Sequence, residues 1–214
     1  PSTTQQVSEV VRLASRLGVS IVPVGGNTGL NGGTHSDKSI SISMERMNNI
    51  HEIRSSSKIA LVEAGVILTT LHQAVNENDL MFPLTFGARG SATIGGVLST
   101  NAGGSNVLKY GNTRDLVLGV EIVLPNGDIM NLMSELHKDN SGYCLRDLVI
   151  GAEGTLGIIT QAVLKLFPKP KAHATAMVAV KSLDHALALL NELQEGTGGA
   201  VAAYEYMPKR YIQG

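Results

Sequence analysis

The sequence contains a single cysteine, Cys144, among its 214 residues, and it has no tryptophan. One cysteine excludes an internal disulfide and leaves no second thiolate for a cysteine-type zinc site. We expect Cys144 to be a small buried residue and not a redox group. The cysteine count fits a reducing compartment, so we predict a cytoplasmic location, or the mitochondrial matrix in a eukaryote.

The sequence also lacks a strong charge of either sign and a long apolar run. Lys and Arg number 17, Asp and Glu number 18, and the formal net charge is -1. This balance gives no electrostatic basis for binding nucleic acid. No apolar run approaches the ~20 residues of a membrane-spanning helix, although peripheral membrane association stays open. We therefore expect one ordinary soluble domain with part of a second.

Familiar metal and phosphate motifs are missing as well. The six histidines show no H-x-H or H-x-x-x-H pairing, so their spacing predicts no metal site. The stretch "GGNTGLNGG" that begins at Gly25 contains no G-x-G-x-x-G and leads into no P-loop lysine. A Rossmann dinucleotide fold and a P-loop NTPase are therefore disfavoured.

Glycine is abundant instead. There are 24 glycines, and 14 of them fall in three clusters at 25–33, 87–104 and 151–157. Glycines that follow strands or open helices let the phosphates of a ligand approach the main chain, where N–H groups donate to them. A side chain at Gly25, Gly26 or Gly29 would hold such a phosphate away. For the first cluster taken alone, a plain surface turn is the alternative.

Apolar periodicity predicts an α+β chain. One helix is capped at Thr3 or Thr4 and ends at Gly18, and a second covers Leu68 to Val75. Residues 83–113 are predicted to be a folded loop around a short helix. A hairpin over 116–132 would turn at Asn126–Gly127. The other predicted strands are 19–24, 39–44, 58–66 and 158–167.

Pro168 and Pro170 indicate a linker, and hence a domain boundary near residue 170. Beyond it the pattern predicts a strand at 174–180, a helix at 182–194 and a strand at 200–207. Such a β-α-β unit has faces that it cannot cover alone. We therefore expect residues 171–214 to be the beginning of a second domain that is cut short.

Five segments follow one another in a characteristic order: "PVGGNTGLNGG", "GARGSATIGGVLSTNAGG", "YGNTRDLVLGVEIVLPNGD", "KDNSGYCLRDLVIGAEGTLGIIT" and "YEYM". Together they resemble the FAD-binding domain of the vanillyl-alcohol oxidase/p-cresol methylhydroxylase (PCMH-type) superfamily, and within it the D-2-hydroxyglutarate and D-lactate dehydrogenases. The resemblance implies an α+β fold, with a PCMH-type FAD-binding domain at 1–170. This domain would consist of two α/β subdomains with a break near residue 80 and FAD between them. Residues 171–214 would begin an α+β cap domain.

The resemblance also implies contacts with the cofactor. The pyrophosphate loop would comprise Gly25, Gly26, Asn27, Thr28, Gly29 and Leu30. The stretch that faces the diphosphate or the ribityl chain would comprise Gly87, Gly90, Ser91, Ile94, Gly95 and Gly96. The residues expected along the rest of the cofactor are Asn101, Ala102, Gly103, Gly154, Gly157 and Ile159. Family members that bond flavin covalently in the first loop have a histidine where this chain has Asn27, so we predict non-covalent FAD and no flavin bond at His35.

In the hydroxyacid branch of this superfamily, FAD takes a hydride from a D-2-hydroxy acid, which becomes a 2-oxo acid. The resemblance places the base, the substrate-binding cations and the metal-binding histidines in a later segment with a signature like "GHxGDGNxH", which this sequence lacks. We therefore assign no catalytic residue and no metal ligand, and expect a divalent metal only in that missing part. The chain alone should turn over little. Its electron acceptor is unassigned, and a homodimer stays open.

Two other functions stay open on the same fold. A flavin-free binding module would show eroded glycines or charges in the loops, and none is visible. A MurB-like NADPH-dependent flavin reductase would need a different substrate domain, which the "KDNSGY" and "YEYM" matches disfavour. We expect Arg114, Asp115 and Glu153 to pair and fix the loops more than to contact substrate. Residues 138–143 fit a family segment and an ordinary turn equally well.

Overall fold

The computed structural model describes residues 1–212, and it confirms the predicted α+β class. The helices are α1 (Thr4–Leu17), α2 (Leu68–Asn76), α3 (Ile94–Ser99), α4 (Val107–Tyr110), α5 (Leu145–Val149), α6 (Leu183–Gly196) and α7 (Lys209–Ile212). The strands are β1 (Ser20–Val24), β2 (Ser39–Ser43), β3 (Ile50–Arg54), β4 (Ile59–Glu63), β5 (Leu80–Met81), β6 (Val117–Val123), β7 (Ile129–Leu132), β8 (Ile158–Lys165) and β9 (Phe167–Pro168). Across these residues, no helix combines the length and the apolar character that crossing a bilayer requires.

Helix α1 begins and ends where the sequence predicts. The Thr3 side chain caps it by accepting a hydrogen bond from a main-chain N–H of the first turn. Gly18 ends it in the left-handed region, at φ 66°. Val7 is buried in a cluster with Val123 and Ile158, which come from β6 and β8. The helix is therefore held against the ends of two sheet strands.

Five strands form an antiparallel sheet in the order β3-β4-β8-β6-β7. Strand β8 lies at its centre, and Ala162 and Leu164 belong to the main core of the protein. The predicted hairpin is confirmed, because β6 pairs with β7 and Gly127 in the turn adopts φ 85°. The sheet thus joins residues 50–63 to residues 117–165.

Strands β1 and β2 form a separate parallel pair. The predicted alternation over 39–44 is seen at Ile42 and Met44, which are buried, whereas Ile40 is exposed. Strands β3 and β4 belong to the five-stranded sheet, where β4 pairs with β3 on one edge and with β8 on the other. The subdomain break near residue 80 stays a prediction.

The last part of the chain differs from its prediction. Helix α6 is confirmed and is capped by Ser182, which accepts a hydrogen bond from the His185 N–H. The strands predicted at 174–180 and 200–207 are wrong, since neither segment forms a ladder within residues 1–212. A strand without a neighbouring strand leaves its main-chain N–H and C=O groups unpaired. A sequence with the composition of a strand therefore forms one only where a partner strand is available. Pro168, predicted to lie in a linker, instead pairs with Leu80.

Candidate functional site

The first and second glycine clusters pack main chain against main chain. A Cβ atom on Gly25 would lie 2.3 Å from Thr93 Oγ1, and one on Gly26 would lie 1.9 Å from the carbonyl oxygen of Ser91. Neither distance leaves room for a side chain. A side chain on either glycine would meet the protein, which is a reason for glycine separate from the predicted approach of a phosphate, and that approach stays a prediction. Only glycine permits this contact between the loops.

The third glycine cluster, at 151–157, contacts both α3 and β1. The Gly151 N–H donates to the carbonyl oxygen of Leu98 near the end of α3, at 3.0 Å. Gly154 adopts φ 81°, and a Cβ on it would lie 2.6 Å from Pro23 Cγ in β1. Three clusters that are far apart in the sequence therefore meet around α3 and the end of β1.

The loop that follows β1 presents main-chain donors without partners. Within residues 1–212, no N–H group of residues 25–31 donates a hydrogen bond to another protein group. Asn27 adopts φ 49°, and its Oδ1 accepts a hydrogen bond from Thr34 Oγ1 at 2.6 Å. A Cβ on Gly29 would meet nothing within 4 Å. N–H groups of this kind, on a turning and partly exposed main chain, are the donors that anion sites of proteins use.

The start of α3 is different, because the protein itself uses its donors. The Ile94 N–H donates to the Val66 carbonyl at 2.9 Å, and the Gly95 N–H donates to the Ala64 carbonyl at 2.7 Å. Ile94 and Gly95 are both buried. The start of α3 was expected to face a diphosphate or ribityl chain. A cofactor contact by this segment stays a prediction, and its accessible part is the exposed Ser91 and the half-buried Gly96.

The remaining predicted site residues lie around this centre. Gly87 and Gly90 belong to a 3-10 turn, and a Cβ on either would meet open space. Asn101, Ala102 and Gly103 form the turn after α3, where Asn101 adopts φ 46°. Ile159 is buried in β8. Leu30 is 99% exposed. The contacts of all these residues with a ligand remain predictions.

A cavity of about 290 Å³ lies on the α1 side of β1, and none of residues 25–31 lines it. It lies between α1, β1 and the ends of β6 and β8, and most of its walls are apolar. The lining residues include Val11, Ile21, Pro23, Leu124, Gly154, Gly157 and Ile158. Pro23, near the end of β1, is the lining residue nearest in sequence to the loop at 25–31.

The charged residues of the region fix its loops, as predicted for two of them. The Arg114 N–H donates to Asn101 Oδ1 at 2.9 Å, and Arg114 Nη2 donates to the Ile150 carbonyl at 2.6 Å. Asp115 accepts a hydrogen bond from the Asn112 N–H at 2.8 Å and so caps the 3-10 turn at Thr113–Leu116. These contacts involve main chain and loop side chains.

The segment before α5 corrects one prediction. Cys144 is exposed and not buried, because it precedes a five-residue helix on the surface. Burial raises the pKa of the nearby Asp147, but hydrogen bonds from Arg146 and Cys144 and the charges of Arg146 and Arg114 bring that pKa below its usual value.

Asp139 accepts hydrogen bonds from the N–H and hydroxyl of Ser141, which is turn geometry. Within residues 1–212, no three His, Cys, Asp or Glu side chains are grouped as metal ligands would be.

Two residues that shape the site were not singled out from the sequence. Thr93 caps α3, with its Oγ1 3.4 Å from the Gly96 N–H, and a threonine before "IGG" is the signal that could have identified it. Gly104 lies against Thr85, whose carbonyl oxygen would be 2.5 Å from a Cβ on Gly104. The paired glycines at 103–104 were visible in the sequence, but their neighbour was not.

Several characterised proteins resemble this chain. The D-2-hydroxyglutarate dehydrogenase of Xanthomonas citri pv. viticola is 40% identical over 185 residues, which cover 86% of this chain and 39% of that protein. The mitochondrial D-2-hydroxyglutarate dehydrogenase of Rattus norvegicus is 38% identical over 100% of this chain and 40% of its own length. The glycolate oxidase subunit GlcD of Bacillus subtilis is 39% identical over 90% of this chain and 41% of its own length. The chain thus spans about 40% of the length of these relatives.

The structure has counterparts as well. One structure of alkyldihydroxyacetonephosphate synthase superposes with a TM-score of 0.72 at 28% identity, over 80% of this chain and 31% of that one. A second structure of the same enzyme gives a TM-score of 0.70. A family model described as an FAD binding domain matches residues 1–133. The loop geometry, the fold and the sequence agree, and the chain belongs to the FAD-binding domain family.

Proposed function

We propose that this chain is the FAD-binding portion of an FAD-dependent 2-hydroxyacid dehydrogenase or oxidase of the D-lactate or D-2-hydroxyglutarate type. The observation that carries the proposal is the loop at 25–31, whose N–H groups have no protein partner in the described part of the chain. The names of the relatives supply the substrate class, since they include D-2-hydroxyglutarate dehydrogenase and D-lactate dehydrogenase.

The residues fit the cofactor on physical grounds. A pyrophosphate carries about two negative charges, and main-chain N–H groups at 25–31 stabilise such an anion without a lysine or arginine. The close packing of Gly26 against Ser91 holds this loop in place before any ligand arrives. A preformed loop loses little conformational entropy on binding, which favours affinity. We propose that the bond to FAD is non-covalent, with Asn27 where covalent relatives have histidine.

When bound, FAD would supply the hydride acceptor for oxidation of C2 of the hydroxy acid. The residues of this chain would hold the cofactor and shield part of it from water, and we assign none of them to proton transfer. The proposed domain division is an FAD-binding part at 1–170 and the beginning of a cap domain at 171–214. A small hydroxy acid is the proposed substrate. The proposed location is the cytoplasm or the mitochondrial matrix.

The first experiment is the visible absorption spectrum of the purified protein, repeated on the supernatant after acid precipitation. Flavin bands that move into the supernatant are expected for non-covalent FAD. Bands that stay with the pellet would contradict the non-covalent assignment. A colourless protein that also fails to bind added FAD would contradict the cofactor proposal and favour a flavin-free module.

The substrate class needs a second measurement on the full-length protein. Anaerobic addition of D-2-hydroxyglutarate or D-lactate is expected to bleach the flavin bands, with the L-enantiomers as controls. Bleaching by NADPH and by none of the hydroxy acids would overturn the dehydrogenase proposal and favour a MurB-like reductase.

A further inference from the structure

We propose that Arg114 is a positioning residue for the cofactor site and that it binds neither cofactor nor substrate. The proposal rests on the placement of FAD argued above. Arg114 lies in the 3-10 turn at Thr113–Leu116, directly before β6. Its two hydrogen bonds run to two different segments that border the glycine clusters. Neither bond could have been assigned from the sequence, because both depend on the fold.

The first bond fixes the turn after α3. The Arg114 N–H donates to Asn101 Oδ1 at 2.9 Å. Asn101 adopts φ 46°, a conformation that costs free energy for most residues other than glycine. Asparagine tolerates it when its side chain finds a local partner, and the N–H of Arg114 is that partner. The turn at 101–103 is thereby held in one conformation.

The second bond fixes the loop before β8. Arg114 Nη2 donates to the Ile150 carbonyl at 2.6 Å, and a Cβ on Gly151 would lie 3.0 Å from the same nitrogen. Gly151 adopts φ 88°, so its conformation and its lack of a side chain both fit the guanidinium. A charged donor to a carbonyl makes a stronger hydrogen bond than a neutral one.

The environment of the guanidinium argues against a ligand contact. Arg114 is half-buried, and its Nε is buried without a hydrogen-bond partner within residues 1–212. Removing a donor from water in this way is unfavourable unless the rest of the side chain is well bonded. The bond from Nη2 to the Ile150 carbonyl supplies that compensation. The side chain thus holds the segment at 150–151 while the main chain of the same residue holds Asn101, so the residue links the two segments.

Arg146 is a matched control. It also donates from a guanidinium to a main-chain carbonyl, from Nη1 to Leu118 at 2.9 Å, and it also contacts a carboxylate, Asp147. Leu118 belongs to β6 and borders no glycine cluster. Loss of Arg146 should therefore lower stability without disturbing the loops at 101–103 and 151–157.

The test compares Arg114→Ala, Arg114→Lys and Arg146→Ala with the wild-type protein. FAD binding is measured by quenching of flavin fluorescence, and thermal unfolding is measured with and without FAD. We expect Arg114→Ala to raise the Kd for FAD by about tenfold or more, the scale of one lost charged hydrogen bond. Added guanidinium ion should restore part of the affinity. Lysine should retain part of it, since a lysine can reach a carbonyl but lacks the planar fork.

Hydrogen exchange supplies a reading independent of affinity. In Arg114→Ala the main-chain bond to Asn101 remains, so faster exchange is expected at 150–157 and not at 98–103, whereas Arg146→Ala should leave 151–157 unchanged. The proposal is overturned if Arg114→Ala binds FAD like wild type, or if Arg146→Ala loses as much affinity. Should Arg114→Ala fail to fold, Arg114→Lys decides. An unchanged Kd for FAD with slower reduction of the flavin by substrate would overturn the proposal and assign Arg114 to the substrate instead. A wild-type protein that does not bind FAD would refute the cofactor assignment itself, a distinct result.

Discussion

The first and second glycine clusters look alike in the sequence but differ in the structure. In the loop at 25–31, the N–H groups have no protein partner within the described residues, whereas in α3 the N–H groups of Ile94 and Gly95 donate to Val66 and Ala64. One cluster leaves its donors without protein acceptors, and the other uses its donors to attach a helix to the core. A glycine-rich segment thus has two separate uses, close packing and ligand approach, and only a structure tells them apart.

The largest effect is expected where the two clusters touch. In Gly26→Ala, the new Cβ would lie 1.9 Å from the Ser91 carbonyl oxygen, which belongs to main chain and cannot turn aside. Overpacking of this kind should cost about 3 kcal/mol of unfolding free energy. For a chain of this size, thermal unfolding would then shift down by roughly 6 to 12 °C. An unchanged melting temperature would mean that the two loops do not pack as described.

The second-largest effect is expected where Gly25 packs against the side chain of Thr93. A Cβ on Gly25 would lie 2.3 Å from Thr93 Oγ1 and 3.4 Å from Gly96 Cα. Gly25→Ala should cost about 2 kcal/mol, and Thr93→Ala about 1 kcal/mol through the lost cap. In the double variant the clash is gone, so its cost should fall short of the sum by about 1 kcal/mol. Strict additivity in urea unfolding would argue against the contact.

Gly29 tests whether the loop at 25–31 contacts the cofactor. A Cβ there meets nothing within 4 Å, so Gly29→Ala should change the unfolding free energy by less than about 0.5 kcal/mol. If a pyrophosphate lies against this main chain, the same methyl group should raise the Kd for FAD by about tenfold, or about 1.4 kcal/mol. Gly196→Ala in α6 also places a methyl group in open space and serves as the control. Equal FAD affinity in both variants would remove Gly29 from the site.

The smallest effect is a pH dependence that belongs to the second region. Burial lowers the pKa of His72, whose Nε2 lies 2.9 Å from the carbonyl oxygen of Leu84, just before the second cluster. The unfolded chain therefore takes up the proton first as the pH falls below about 6.5, and stability decreases there. Thermal unfolding between pH 7.5 and 5.5 should show a shallower decline in His72→Gln. His35→Gln, which alters an exposed histidine of the first region, should decline like wild type.

Several features could be predicted from the sequence because their causes are local. The cap at Thr3, the stop at Gly18 and the turn at Gly127 depend on a few neighbouring residues, and all three are confirmed. Strand β3 was missed, since its middle residues His51 and Glu52 are polar and exposed and break the apolar pattern. The short α5 was missed because five residues show no helical period.

Other features depend on distant partners and were beyond the sequence. The segment at 174–180 has the composition of a strand but finds no neighbour to pair with in the described chain. At the site, the sequence showed that Gly26 must lack a side chain, but Ser91 as the reason required the fold. The resemblance supplied the order of the loops, and the structure supplied their contacts, including the link through Arg114.

The pairing of β4 with β8 also sets the order in which the protein can assemble. Strand β4 is made early in synthesis, but one of its edges stays open until β8 has left the ribosome. The loop at 25–31 is likewise made early, while Gly154, which packs on Pro23, arrives much later. Contacts of such long range form slowly and late in folding. The packing of β1 against Gly154 is therefore completed only after residues 151–157 have been synthesised.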